Sequence, residues 1–231
     1  MSKMTVVIFD FDGTLVDSYY MLPELYYQLG IKLGLKDDEA RLFSKIMLLL
    51  EDFNEYKGIF DRRVWWSSAF RSLNIRYTDV NIGKLVEWFY DEWVNRSIVF
   101  SDTSYVLDAL SSKGCILYLV SGTDGIPSFK RYRILRSGLS AYFKDIIVVG
   151  EDVKSFRDAL KVITSHHNND KIYHIDDKVE RVLISRELGI RSILKKFNGP
   201  LKLAWDIRRY RSKLDDIPIV DSLMEVLDII K

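Results

Sequence analysis

Two aspartates one residue apart, Asp10 and Asp12, follow the run Thr5-Val6-Val7-Ile8-Phe9 and precede Gly13-Thr14. Residues two apart in extended chain point the same way, so both carboxylates can face one pocket while Phe11 turns into the fold. Gly13 lets the backbone turn sharply and approach a ligand closely. Two convergent carboxylates suit a hard, oxygen-seeking cation such as Mg2+, which takes one or two protein carboxylates together with water and phosphate oxygens. Taken alone, such a tripeptide is also two acids in a solvated loop. The apolar run before it and the Gly-Thr after it weigh against that reading.

Three later segments have the same form, a short apolar run ending in polar residues. Ser121-Gly122-Thr123 follows Cys115–Val120, and its hydroxyl and backbone N–H groups can bind phosphate oxygens without adding charge. Gly150-Glu151-Asp152-Val153-Lys154 follows Ile146–Val149, and Asp176-Asp177-Lys178-Val179-Glu180 follows Lys171–Ile175. In open α/β sheets, ligands bind in the crevice beyond the carboxyl ends of the strands. Each segment alone is an ordinary turn; their shared placement is what makes them a set.

The elements that must position them read as a doubly wound α/β fold. Thr5–Phe9 is continuous, apolar and β-branched, as expected of a strand buried on both faces. From residue 102 onward helices (Asp102–Lys113, Ser128–Ser137, Ser155–Ser165, Val179–Leu188) alternate with strands, Arg191–Leu194 being the last. That alternation predicts βαβ units and a parallel sheet. Between the first strand and this region, Tyr19–Leu33, Asp37–Phe53, Arg62–Leu73 and Val80–Asn95 carry apolar residues at helical spacing with no strand among them. The expected division is an α/β core of residues 1–17 and 98–231, with an inserted helical cap at 18–97. A helix at Ser222–Ile230 ends the chain. Phe197–Asp216 interleaves Lys202, Arg208, Arg209, Arg211 and Lys213 with apolar residues, which predicts an amphipathic helix over the sheet edge or a face for an acidic partner.

Composition removes several classes. A net charge of +1 gives no overall field to hold nucleic acid or an anionic membrane. One cysteine, Cys115, allows no intrachain disulfide and no four-cysteine zinc site. His166, His167 and His174 lack zinc-site spacing, and His174 reads as a packed strand residue. No apolar stretch reaches the ~18 residues of a membrane span, and Met1–Met4 runs into the first strand without a signal-peptide pattern. A cytoplasmic protein is the expectation.

Asp10-Phe11-Asp12-Gly13-Thr14, with its Leu15-Val16-Asp17-Ser18 continuation, resembles the first motif of the haloacid dehalogenase-like (HAD) superfamily, in the helical-cap, phosphoglycolate phosphatase-like subclass. Ser121, Lys154 and Asp176-Asp177 match that family's later motifs in order. The resemblance implies a Rossmann-like core with a helical cap and a Mg2+-dependent phosphatase acting on a small phosphorylated metabolite, as a monomer or homodimer. It implies Asp10 as nucleophile, Asp12 as general acid and base, and a phosphate held by Ser121, Gly122 and Lys154. It implies Mg2+ on Asp10, Asp12, Asp176 and Asp177, with Glu180 orienting a ligand from behind. Three departures stand out: no proline and only a shortened segment follow Lys154, Ile175 stands where glycine is usual, and Glu180 stands where a second aspartate is common. Phosphomutases of the β-phosphoglucomutase type share all four motifs. Haloacid dehalogenases lack the second acid that Asp12 supplies here.

Overall fold

The computed structural model describes residues 4–75, 79–168 and 170–230, so Met1–Lys3 and Asn169 of the polar turn after His167 lie outside the described residues. The chain begins in β1 (Thr5–Phe9) and makes a two-residue strand, β2 (Val16–Asp17). Four helices follow: α1 (Leu22–Lys32), α2 (Asp37–Lys57), α3 (Arg62–Ser72) and α4 (Asp79–Arg96). It returns through β3 (Ile98–Val99), which pairs antiparallel with β2, so the polypeptide enters and leaves the helical region side by side.

The α/β alternation then runs α5 (Thr103–Ser112), β4 (Ile116–Gly122), α6 (Phe129–Arg136), β5 (Asp145–Val149), α7 (Phe156–Ser165), β6 (Lys171–Asp176), α8 (Val179–Glu187) and β7 (Arg191–Lys195). A short edge strand, β8 (Ile219–Val220), and a final helical turn, α9 (Val226–Ile229), complete it. The six-stranded sheet has the order β5-β4-β1-β6-β7-β8, with every pairing parallel. β1 is central, flanked by β4 on one side and β6 on the other.

The apolar run of β1 is explained by what lies on either face. Val7 and Phe9 pack into one core with α5, β4 and the C-terminal residues, and Val6 and Ile8 pack into a second with α7. Burying a side chain of this size contributes roughly 1.5–3 kcal/mol relative to exposing it, so both faces of β1 demand apolar residues. The helical region has its own core around Tyr26, Trp66, Phe70 and Phe89. In α2 the acids Asp37, Asp38 and Glu39 occupy the first turn, and Glu39 accepts the Lys36 N–H at 2.9 Å. Gly58 ends α2 with φ +73°. Among the described residues no helix is long and apolar enough to cross a membrane.

The segment after β7 differs from the amphipathic helix its sequence suggests. It forms two short 3₁₀ turns, Leu203–Trp205 and Ile207–Lys213. Leu201 and Trp205 bury in the core of the helical region, whereas Leu214 and Ile217 bury with α8. No single helical face can serve both destinations. The C-terminal stretch likewise splits into a 3₁₀ turn at Leu223–Glu225 and α9.

Candidate active site

The ends of β1, β4 and β6 bring the motifs of Asp10, Ser121 and Asp176 to one place. Asp10 is the residue after β1, and its N–H donates to the Ile175 carbonyl at 3.0 Å. Asp176 is the last residue of β6, and Asp177 follows it. Carboxylate oxygens of Asp10, Asp176 and Asp177 all lie within 4.8 Å of one another, and all three residues are buried. Such a cluster of buried acids is unfavourable unless cations face it.

Arg181, from the first turn of α8, is one such cation. Its Nη1 lies 2.8 Å from Asp10 Oδ1 and 3.5 Å from Asp176 Oδ2. Lys178, at the N-cap of α8, faces the same space and pairs with Glu55 of α2 at 2.6 Å. The carboxyl of Asp10 is nevertheless pushed up to about 6, by burial first and the Asp176 charge second, against the pull of Arg181 and Lys178. Asp177 is also raised, by burial and then by Asp176 and Asp10. Asp176 goes the other way: burial is outweighed by Arg181 and by His174. His174 is itself buried and hydrogen-bonds Ser185 through Nδ1 at 2.8 Å, so it is the packed residue its alternation predicts.

Asp12 has a different environment. Ser18 Oγ donates to it at 2.5 Å, and Lys130 and Arg133 of α6 both ion-pair with it. The same two cations reach Asp124, at 2.8 Å from Lys130 and 3.0 Å from Arg133. Burial would raise the Asp12 carboxyl, but Arg133 and Lys130 together hold it far below the usual carboxylate range. Asp12 is therefore ionised here, and its oxygens are fully engaged.

Ser121 and Gly122, at the end of β4, line the cavity with Asp10, Asp12, Lys130, Lys178 and Arg181. Lys154 does not. It is exposed, because the chain reverses immediately after β5: Gly150 takes φ +93° and its N–H donates to the Val153 carbonyl at 2.8 Å. The structure does not bring Lys154 to the cavity with Ser121 and Gly122. Glu180 is also exposed and accepts a hydrogen bond from Tyr210 at 2.6 Å, so it braces the 3₁₀ turn rather than a ligand of the acidic cluster.

From the helical region, Tyr19, Glu51, Glu55, Phe60, Arg62 and Trp93 form the opposite wall. The sequence motifs do not mark these residues, nor Lys130, Arg133, Lys178 and Arg181 on the opposite side. A signal for three of these was present: Lys130 stands in the first turn of α6, and Lys178 and Arg181 at the N-cap and in the first turn of α8, where a helix N-terminus prefers acids. Two positively charged helix starts aimed at one cleft suit an anion. The space between these walls is narrow and partly open, about 20 Å³.

The donor set fits a divalent cation. Three buried carboxylates converge, and Asp177 Oδ1 is buried with no hydrogen-bond partner, an acceptor left open toward something not supplied by the protein.

A family model for haloacid dehalogenase-like hydrolases matches residues 4–191. Solved structures with the same architecture include a predicted phosphoglycolate phosphatase from Haemophilus somnus 129PT (18% identity, 100% of both chains, TM-score 0.69). A putative β-phosphoglucomutase from Thermotoga maritima is similar too (19% identity, 99% of this chain and 100% of that one, TM-score 0.72). So is a HAD phosphatase from Thermococcus onnurineus (22% identity, 98% and 97%, TM-score 0.58). No curated protein matches in sequence.

Proposed function

The chain belongs to the haloacid dehalogenase-like hydrolases, and on that premise we propose that it is a Mg2+-dependent phosphatase of a small phosphorylated metabolite, with Asp10 as nucleophile. The observation that carries this reading is the meeting of Asp10, Asp176 and Asp177 beside Ser121 and Gly122, at the carboxyl ends of three adjacent parallel strands. Residues 18–97 act as the cap and residues 1–17 and 98–231 as the core.

Phosphoryl transfer depends mainly on position and on neutralising charge. Asp10, Asp176 and Asp177 would hold Mg2+, which would supply positive charge against the phosphate oxygens. Ser121 Oγ and the Gly122 N–H hold a non-bridging oxygen, and Arg181 lies between the nucleophile and that cradle. A Cβ placed on Gly122 would sit 3.0 Å from Arg181 Nη2, which shows how closely the guanidinium covers this backbone. A carboxylate oxygen of Asp10 attacks phosphorus, the bond to the ester oxygen breaks, and an aspartyl-phosphate forms on Asp10. Water then attacks the phosphorus and releases inorganic phosphate.

Asp12 is the general acid and base. Arg133 and Lys130 hold it ionised and weaken it as a base, so these contacts must loosen in both halves of the role, when it takes the proton from the attacking water and when it gives one to the leaving oxygen.

The test is phosphate release from a panel of phosphate monoesters with and without Mg2+, with Asp10→Asn as control. Turnover that needs Mg2+ and disappears in Asp10→Asn is expected. Activity retained in that variant means another group attacks. Following a sugar 1-phosphate for conversion to the 6-phosphate separates a phosphomutase from a hydrolase.

A further inference from the structure

Asp177 is held by a residue outside the four motifs. Trp205 donates its indole N–H to Asp177 Oδ2 at 2.5 Å. On its other side, Oδ2 lies against Gly13, where a Cβ would come within 1.9 Å of it. One carboxylate oxygen is thus pinned between an indole and a glycine. The other, Oδ1, is buried and has no hydrogen-bond partner, and Asp177 offers one carboxylate oxygen to the cluster with Asp10 and Asp176.

Trp205 is itself fixed. Its ring stacks on Phe197 at 4.4 Å and meets the edge of Tyr19 at 5.3 Å. The turn that carries it is tied to the helical region: Asp52 of α2 accepts the N–H groups of Lys202 at 2.9 Å and Leu203 at 2.8 Å. A second tie follows where Arg209 donates to Tyr56 at 3.1 Å.

We infer that Trp205 is a positioning residue for the metal centre: its indole N–H orients Asp177 so that Oδ1 is presented to a divalent cation, and the turn carrying it links that orientation to α2. Hydrogen bonds from behind a metal-binding carboxylate fix its direction, and their loss typically costs about 10–100-fold in metal affinity. The inference rests on the Mg2+ reading above, and its test separates the two.

Trp205→Phe keeps an aromatic ring against Phe197 and Tyr19 and removes only the donor. Mg2+ binding is read without turnover, from the rise of the thermal midpoint with added Mg2+ and from calorimetric titration of the full chain. The variant is expected to keep its metal-free midpoint close to that of the parent. Its half-saturating Mg2+ should rise at least about tenfold. Asp52→Ala touches neither the acids nor the indole; it should weaken Mg2+ binding in the same direction by a smaller factor, and it carries the test if Trp205→Phe fails to fold. Adding Trp205→Phe to Asp177→Asn should produce no further loss. Parent-like half-saturation in Trp205→Phe overturns the positioning role, and in Asp52→Ala it overturns the link to α2. If the parent protein itself shows no Mg2+ response, the metal reading falls first and this inference with it.

Discussion

The cation beside Asp10 is Arg181, from the first turn of α8, and not Lys154, which is exposed beyond the turn after β5. Replacing Arg181 with Met should lower kcat/KM by about 10²–10³, the range found when one donor to a developing oxyanion is removed. Lysine at 181 should recover part of that loss, because it restores charge without the planar fork. Lys154→Ala, a change at an exposed side chain, should stay within about 0.5 kcal/mol of the parent in both stability and activation free energy. Steady-state kinetics on one phosphate ester decides between the two cations. The Asp12 assignment has its own signature. A nitrophenolate leaves without a proton, whereas an alkoxide needs one. Asp12→Asn should therefore lose more rate on an alkyl phosphate than on p-nitrophenyl phosphate, with the alkyl deficit in the range of about 10²–10⁴. Equal losses on both esters would remove the acid role from Asp12.

Within the helical region, α2 and α3 are joined by a buried charge. Arg62 ion-pairs with Glu51, both side chains are nearly inaccessible, and Tyr26 donates its hydroxyl to the same carboxylate. The Arg62 guanidinium also lies 4.2 Å from the centre of the Trp93 ring. Removing one partner leaves the other charged and buried, at a cost of roughly 3–5 kcal/mol, while replacing both with apolar residues of similar volume is often neutral. Glu51→Ala should lower unfolding free energy by that amount in urea titration, and Glu51→Leu with Arg62→Met should restore most of it. Nothing local in the sequence announces this pair, because a Glu and an Arg eleven positions apart on different helices carry no periodic signature. The strands and their terminal motifs were legible for the opposite reason. Each is a short apolar run followed at once by its functional residue, so pattern and site share one segment, as in Ile8-Phe9-Asp10. The basic starts of α6 and α8 lie between these cases. Lys130, Lys178 and Arg181 stand where a helix disfavours positive charge, and that conflict was readable, but their partners were set by strand order. Trp205 was beyond reach, since its segment divides its apolar residues between two cores.

At the scale of the whole molecule, the helical region lies over the strand ends and supplies the far wall of the cavity. On the proposed reading it is a lid in its shut position, moving off the strand ends to admit ester and release product. The paired strands β2 and β3, where the chain enters and leaves that region, are the natural pivot. What holds the mouth shut is a small set of contacts between α2 and the core. Chief among them is the Glu55–Lys178 pair, with side chains only 11% and 14% exposed. Loss of such a pair should shift the opening equilibrium by about 1–2 kcal/mol, a factor of roughly 5–30 in population. If the shut form is the one that binds ester productively, apparent affinity falls by the fraction of molecules no longer in it. Glu55→Gln should then raise KM by up to that factor and leave kcat close to the parent value, because substrate at saturation still drives closure. Glu55 also lines the cavity, so a lost substrate contact could mimic this. Hydrogen exchange without substrate tells them apart: a weakened latch speeds amide exchange around the C-terminal turns of α2, and a lost contact leaves it unchanged. Parent-like exchange together with a raised KM would assign Glu55 to substrate and leave the latch to Asp52 and the Trp205 turn.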